Sequence, residues 1–147
     1  MPANHILKRF LSLEGRKKRL VTEAMATLLS ASAAIRFLPT RRVFRLAARP
    51  LGAKKAVDIR DVVWAIEAVA ARVPWTTVCF QKGLALQTML RRRGIDARLH
   101  YGVGFDSSRA IRAHVWVSAE GDIVIGGREA PDFQILATMP PGATESA

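Results

Sequence analysis

The period of the apolar residues changes once along this chain, and that change limits the folds open to it. Ahead of position 97 apolar side chains recur at three- and four-residue steps, as in Leu20, Ala24, Thr27, Leu28, Ala31 and Ile35, or Ile59, Val62, Val63, Ile66, Val69 and Ala70. From Ala97 they alternate: Ala97, Leu99, Tyr101 and Val103 are separated by Arg98, His100 and Gly102. The first pattern lays a stripe on a helix, the second fills one face of a strand. Helices followed by strands, rather than alternating with them, point to an α+β domain. Helices are expected over Glu14–Phe37, ended by Pro39, over Arg41–Ala48, over Asp58–Ala71 with Asp58 as N-cap, and from Cys79 to Arg93, ended by Gly94. Residues 1–13 read as a short helical lead-in. Strands are expected over Ala97–Val103, His114–Ser118 and Ile123–Ile125, the last two joined by a turn at Glu120-Gly121.

At 147 residues, half of them hydrophobic, the chain can build one real core and is not disordered throughout. It divides on charge. Residues 1–60 hold fourteen Lys/Arg against three acids, whereas residues 61–147 hold nine of each, so the whole net charge of +11 sits in the first part. The expected organisation is a basic helical region at 1–57, a core at 58–139 and a disordered tail at 140–147. The apolar run Ala24–Ile35 is too short to span a bilayer, which needs about twenty residues, and reads as a core helix. The basic first part reads as a docking face for an acidic peptide or a partner protein. Peripheral contact with a membrane surface is a second reading of it. Nucleic acid is not expected, since no helix-turn-helix spacing, zinc knuckle or aromatic-interleaved basic motif accompanies the charge.

Cys79 is the single cysteine. It excludes an intrachain disulfide and a multi-cysteine metal site, and a lone thiol with no export signal suits the cytoplasm. A lone cysteine is ordinarily a small core residue. Here it opens a helix, where unpaired backbone N–H groups and the positive dipole end favour thiolate and can donate to a developing oxyanion. Downstream, Ala113-His114-Val115-Trp116-Val117 sets a histidine on a strand. A nucleophilic cysteine at a helix start with a histidine on a later strand is the layout of papain-like and transglutaminase-like thiol enzymes.

The order and spacing of these pieces carry a closer resemblance. WTTVCFQKGLALQTMLRRRGIDARLHYGVGF, followed by AHVWVSAEGDIVIGG, is similar to the stand-alone leader peptidases of lasso-peptide biosynthesis over Trp75–Gly127. The shared elements are Cys79 at the helix start, Leu90-Arg91-Arg92-Arg93-Gly94-Ile95 at its end, Gly102-Val103-Gly104, the His114 strand, and Gly121 in the hairpin. The resemblance implies a papain/transglutaminase-like core with the catalytic helix packed on a small antiparallel sheet. It implies removal of the leader segment from a ribosomally made precursor peptide, with no metal or organic cofactor. It also implies a separate leader-recognition protein and a lasso cyclase as partners. Cys79 would attack the scissile carbonyl, and His114 would take the thiol proton and return it to the leaving amine. The reading requires the Cys79 sulfur and the His114 imidazole to meet across one cleft.

The resemblance also calls for an aspartate on the strand after the histidine, and here the chain departs from it. With Glu120-Gly121 as a two-residue turn, Asp122 lies about five residues down the hairpin from His114, roughly 17 Å away. Near the histidine stand Ile125, Gly126 and Gly127, whose side chains accept nothing. Glu129 is the first choice for the third catalytic residue, followed by Asp122, which a bulge would move, with Asp132 and Asp106 as further choices. Two tryptophans are candidate substrate-binding residues: Trp75, four positions before Cys79, and Trp116, on the same strand face as His114. His100 reads as a surface residue, Arg91-Arg92-Arg93 as a solvated helix end, and Gly83 and Ala85 as positions of close helix packing.

Overall fold

The computed structural model describes residues 2–141. Residues 142–147, most of the expected tail, lie outside the described residues. Five helices precede a sheet: α1 (Pro2–Leu11), α2 (Gly15–Phe37), α3 (Thr40–Ala47), α4 (Ile59–Ala70) and α5 (Cys79–Arg91). Then come β1 (Ala97–Phe105), β2 (Ile111–Ala119), β3 (Asp122–Ile125), a 3-10 turn at Ala130–Asp132, and β4 (Gln134–Met139). The architecture is α+β. Asp58 caps α4, its Oδ1 accepting the Arg60 N–H at 2.8 Å. Gly94, with φ +73°, follows α5 in the left-handed conformation that ends a helix.

The sheet has the order β3-β2-β1-β4, and every neighbouring pair is antiparallel. The hairpin turn falls at Glu120-Gly121, with Ala119 facing Asp122 and Ser118 facing Ile123, as the two-residue turn requires. A bulge between Val117 and Ser118 then pairs Val117 with Ile125, and β3 ends there. Strand β4 is an addition to the sequence reading. Its run Gln134–Met139 shows no alternation, with three exposed residues followed by three half-buried ones. It is held through pairing to β1 rather than by a face of its own.

One buried cluster joins all the layers. Leu20, Ala24, Leu28 and Ala31 of α2 meet Val62, Ala65, Ile66 and Val69 of α4 and Leu84, Leu86, Met89 and Leu90 of α5. Leu99, Val115 and Val117 close the cluster from the sheet. The cluster therefore runs across residue 57, where the sequence suggested a division. Helix α2, 23 residues long and with an 18-residue stretch of mean hydropathy 1.3, is long and apolar enough to cross a membrane by length and composition. Its stripe Leu20, Ala24, Thr27, Leu28 and Ala31 is buried inside the protein.

Helix α5 lies on one face of the sheet. A Cβ added at Gly83 would stand 2.8 Å from Val115 Cγ1 and 3.7 Å from Leu99 Cδ1, so the glycine is what lets helix and strand touch. Two polar side chains fix the other end. Buried Gln87 donates through Nε2 to the Ala97 and Met139 carbonyls, at 3.2 and 2.6 Å. Buried Arg91 donates to the carbonyls of Arg49 and Ala97 and to Asp96. Arg93 pairs with Glu23 of α2 and donates to the Met89 carbonyl. The arginine run is thus two internal ties with Arg92 exposed between them, rather than a solvated helix end.

Candidate active site

Three contacts set the level at which α5 begins. Gln87 is tied to Ala97, Gly83 sits over Leu99 and Val115, and the Phe80 ring is 6.4 Å from that of Tyr101. The helix therefore runs against the direction of β1. Its first turn, with Cys79 and Phe80, lies toward the Tyr101–Val115 pair. Cys79 is half-buried and packs against the core cluster. The N-cap is Val78, whose side chain has no acceptor, so no side chain caps the first turn. Gln81, two positions into the helix, accepts the Val78 N–H through Oε1 at 3.0 Å, which orients that glutamine backward along the chain.

His114 leaves β2 on the face opposite Val115 and Val117, which meet α5. The same face carries Trp116 and, on β1, His100. Their rings form a column: His114 stacks on Trp116 at 5.8 Å and 23°, and Trp116 on His100 at 5.7 Å and 25°. Trp116 is 4% exposed and is the wall of this column. His100 is held at Nδ1 by Thr138 Oγ1 and at Nε2 by Ser118 Oγ, at 3.0 and 2.7 Å. The expectation of a surface histidine fails because Thr138 belongs to the strand that the sequence did not announce. Phe133, just ahead of β4, closes on His114 from another side at 5.0 Å.

The His114 imidazole has two further partners. Its Nε2 is 2.9 Å from the Gly126 carbonyl oxygen. The Glu129 Oε2 lies 3.8 Å from the same nitrogen, with the histidine side chain 12% exposed and the glutamate side chain 52% exposed. A carbonyl only accepts, so Nε2 carries the proton and the neutral ring holds its lone pair at Nδ1. Gly126 reaches this place at φ +75°. A Cβ there would meet the Val115 oxygen at 2.8 Å, Trp116 Cβ at 3.0 Å and His114 Nε2 at 3.2 Å. Because β3 stops at Ile125, β2 has no ladder partner on that side beyond Val117, and His114 stands at an open sheet edge.

The structure brings His114, Trp116 and Glu129 together and leaves three of the carboxylates apart from them. Asp122 pairs with Ala119 at the far end of the hairpin, and the bulge lies beyond it, so the shift in register does not carry it toward the histidine. Asp106 Oδ1 accepts from the Ser108 and Ala110 N–H groups and the Ser108 hydroxyl, closing its own loop. The Asp132 side chain is exposed on the 3-10 turn. Trp75 is half-buried in the loop before α5, and its indole Nε1 is buried with no hydrogen-bond partner. No hydrogen bond joins Cys79 to His114, and strand parity turns the ring away from the face on which α5 packs, so the expected meeting of thiol and imidazole across one cleft is not made in this structure.

A family model described as the transglutaminase-like superfamily matches residues 24–138. Neither a curated protein nor a solved structure matched the chain. The family match runs from within α2 to the last but one residue of β4. It covers well over half of the 147 residues, and the chain belongs to the transglutaminase-like superfamily, whose members are usually cysteine-based enzymes.

Proposed function

We propose that the protein is a cysteine peptidase that removes the leader segment from a ribosomally synthesised lasso precursor peptide. The observation that carries a thiol mechanism is the state of His114. With Nε2–H given to the Gly126 carbonyl, Nδ1 is the basic nitrogen, on a ring held by Trp116 and Phe133. In this mechanism the Cys79 thiol and the His114 ring, which share no hydrogen bond in this structure, must come within hydrogen-bond reach when the precursor binds; Cys79 then gives its proton to Nδ1 and attacks the scissile carbonyl. The Cys79 N–H in the uncapped first turn donates to the oxyanion. Nδ1–H then protonates the leaving amine, and water releases the acyl-enzyme. The lasso substrate rests on the resemblance over Trp75–Gly127. The basic face of residues 1–60 suits an acidic leader or the protein that delivers it. The setting is cytoplasmic, with a separate leader-recognition protein and a cyclase as partners.

Incubating the full chain with a candidate precursor and recognition protein, then weighing the products by mass spectrometry, tests this. Cys79→Ala abolishes cleavage, and His114→Ala lowers kcat by about 10²–10⁴-fold, with circular dichroism unchanged. Wild-type cleavage retained in either variant overturns the assignment. An added amine acceptor that takes up the acyl group in preference to water would make the enzyme an acyl transferase or amidase.

A second reading, a peptide-binding module with an idle site, is favoured by one observation: the thiol and imidazole share no hydrogen bond. Alkylation separates the two. With a working pair, His114→Ala slows alkylation of Cys79 at neutral pH; with an idle site the rate is unchanged.

A further inference from the structure

We infer that the Gly126 main-chain carbonyl performs the orienting task for which related sites use a carboxylate side chain, and that Glu129 is a separate carboxylate supporting the charged ring. The inference rests on His114 acting as the base. Three observations carry it. The Gly126 oxygen is 2.9 Å from Nε2, within hydrogen-bond range, whereas Glu129 Oε2 at 3.8 Å is outside it. Gly126 adopts φ +75°, and a Cβ at this position would press on the Val115 oxygen, Trp116 Cβ and His114 Nε2 itself. The ring cannot tilt off the carbonyl freely, because Trp116 stacks on it and Phe133 closes a second side.

The division of labour follows from the chemistry of the acceptors. A carbonyl fixes the Nε2–H tautomer and leaves Nδ1 its lone pair. When the S–H bond breaks and the Nδ1–H bond forms, the electron pair stays on sulfur and the ring becomes a cation. The carbonyl keeps its hydrogen bond but supplies no counter-charge. Glu129 is the carboxylate beside that nitrogen, and it stabilises the cation weakly, because half of its side chain faces water. Gly126 and Glu129 are positioning residues: neither touches the scissile bond.

Long-range proton–nitrogen NMR correlations of the ¹⁵N-labelled full chain test this without any substrate. The chain has three histidines, and a His114→Ala spectrum assigns the signals. At a pH where the ring is neutral, His114 is expected to show a protonated Nε2 and an unprotonated Nδ1. The same pattern is expected in Cys79→Ala and Glu129→Gln. Gly126→Ala is expected to turn it into a mixture of tautomers. An Nδ1–H ring in the wild type overturns the inference, as does a mixture there, and so does a pattern lost in Glu129→Gln but kept in Gly126→Ala. If Gly126→Ala fails to fold, the wild-type and Glu129→Gln spectra decide alone. A fixed tautomer in a protein that cleaves nothing would refute the peptidase, and with it the orienting task, while establishing the Gly126–His114 hydrogen bond itself.

Discussion

At the scale of single residues, the sharpest contrast is between two acceptors on one imidazole. The sequence invites a search for a carboxylate, because side chains are all that a sequence displays. Glu129 could be ranked first from strand parity and proximity alone, and it does lie 3.8 Å from His114 Nε2. The nearer acceptor is a glycine, whose only polar groups are in the main chain. An exposed carboxylate at that distance is screened by water. Glu129→Gln is therefore expected to lower kcat less than about tenfold, far less than His114→Ala, when cleavage rates are compared. A loss as large as that of His114→Ala would make Glu129 the principal orienting group. Trp116 was legible as a neighbour of His114, since residues two apart on a strand share a face. Its other neighbour, His100, was not, because that contact depends on the register between β1 and β2.

At the scale of elements, α5 was the most legible. Its start at Cys79 and its end before Gly94 follow from apolar period and glycine punctuation. The seat of α5 on the sheet depends on Gly83. Gly83→Val would drive a branched side chain into Val115 Cγ1, already 2.8 Å from where a Cβ would be. The expected cost is about 1–3 kcal/mol, read as a lower urea midpoint at an unchanged slope. Asp58 gives a second, independent measure. Its carboxylate caps α4, and Asp58→Ala is expected to cost about 1 kcal/mol in the same experiment. Strand β4 was illegible. Its residues do not alternate, and it pairs with β1 across an irregularity between Tyr101 and Gly102, so nothing local marks it as a strand.

At the scale of the whole molecule, the basic first part and the neutral second part share one core, and ion pairs tie them across the chain. The pair of Glu23 on α2 with Arg93, just past α5, is the most enclosed of these. Its hydrogen bonds from Arg93, helped by the charges of Arg93, Arg92 and Lys55, outweigh partial burial and hold the Glu23 carboxyl below its ordinary pKa. A lowered folded-state pKa adds stability that is present above the unfolded value and lost as pH falls through the folded one. The melting temperature of the wild type is therefore expected to drop on acidification over that window more steeply than that of Glu23→Gln. Equal slopes would show that the pair contributes nothing. A docking role for the basic face belongs to this scale as well. It predicts that leader or partner binding weakens as ionic strength rises, because exposed charges are screened over about 10 Å at 0.1 M salt.

The order of the helices and of the first three strands, the caps of α4 and α5, the hairpin turn, and the placing of a cysteine at a helix start and a histidine on a later strand were determined by the sequence alone. Each rests on local stereochemistry: a period, a turn residue, a missing side chain. Tertiary structure decided the rest. It set the sheet face that His114 occupies relative to α5, the strand that embraces His100, and the inward turn of Arg91 and Arg93. It also brought a glycine carbonyl to the His114 imidazole. These depend on register and on main-chain atoms that every residue possesses, so no letter in the sequence distinguishes them until the chain has folded.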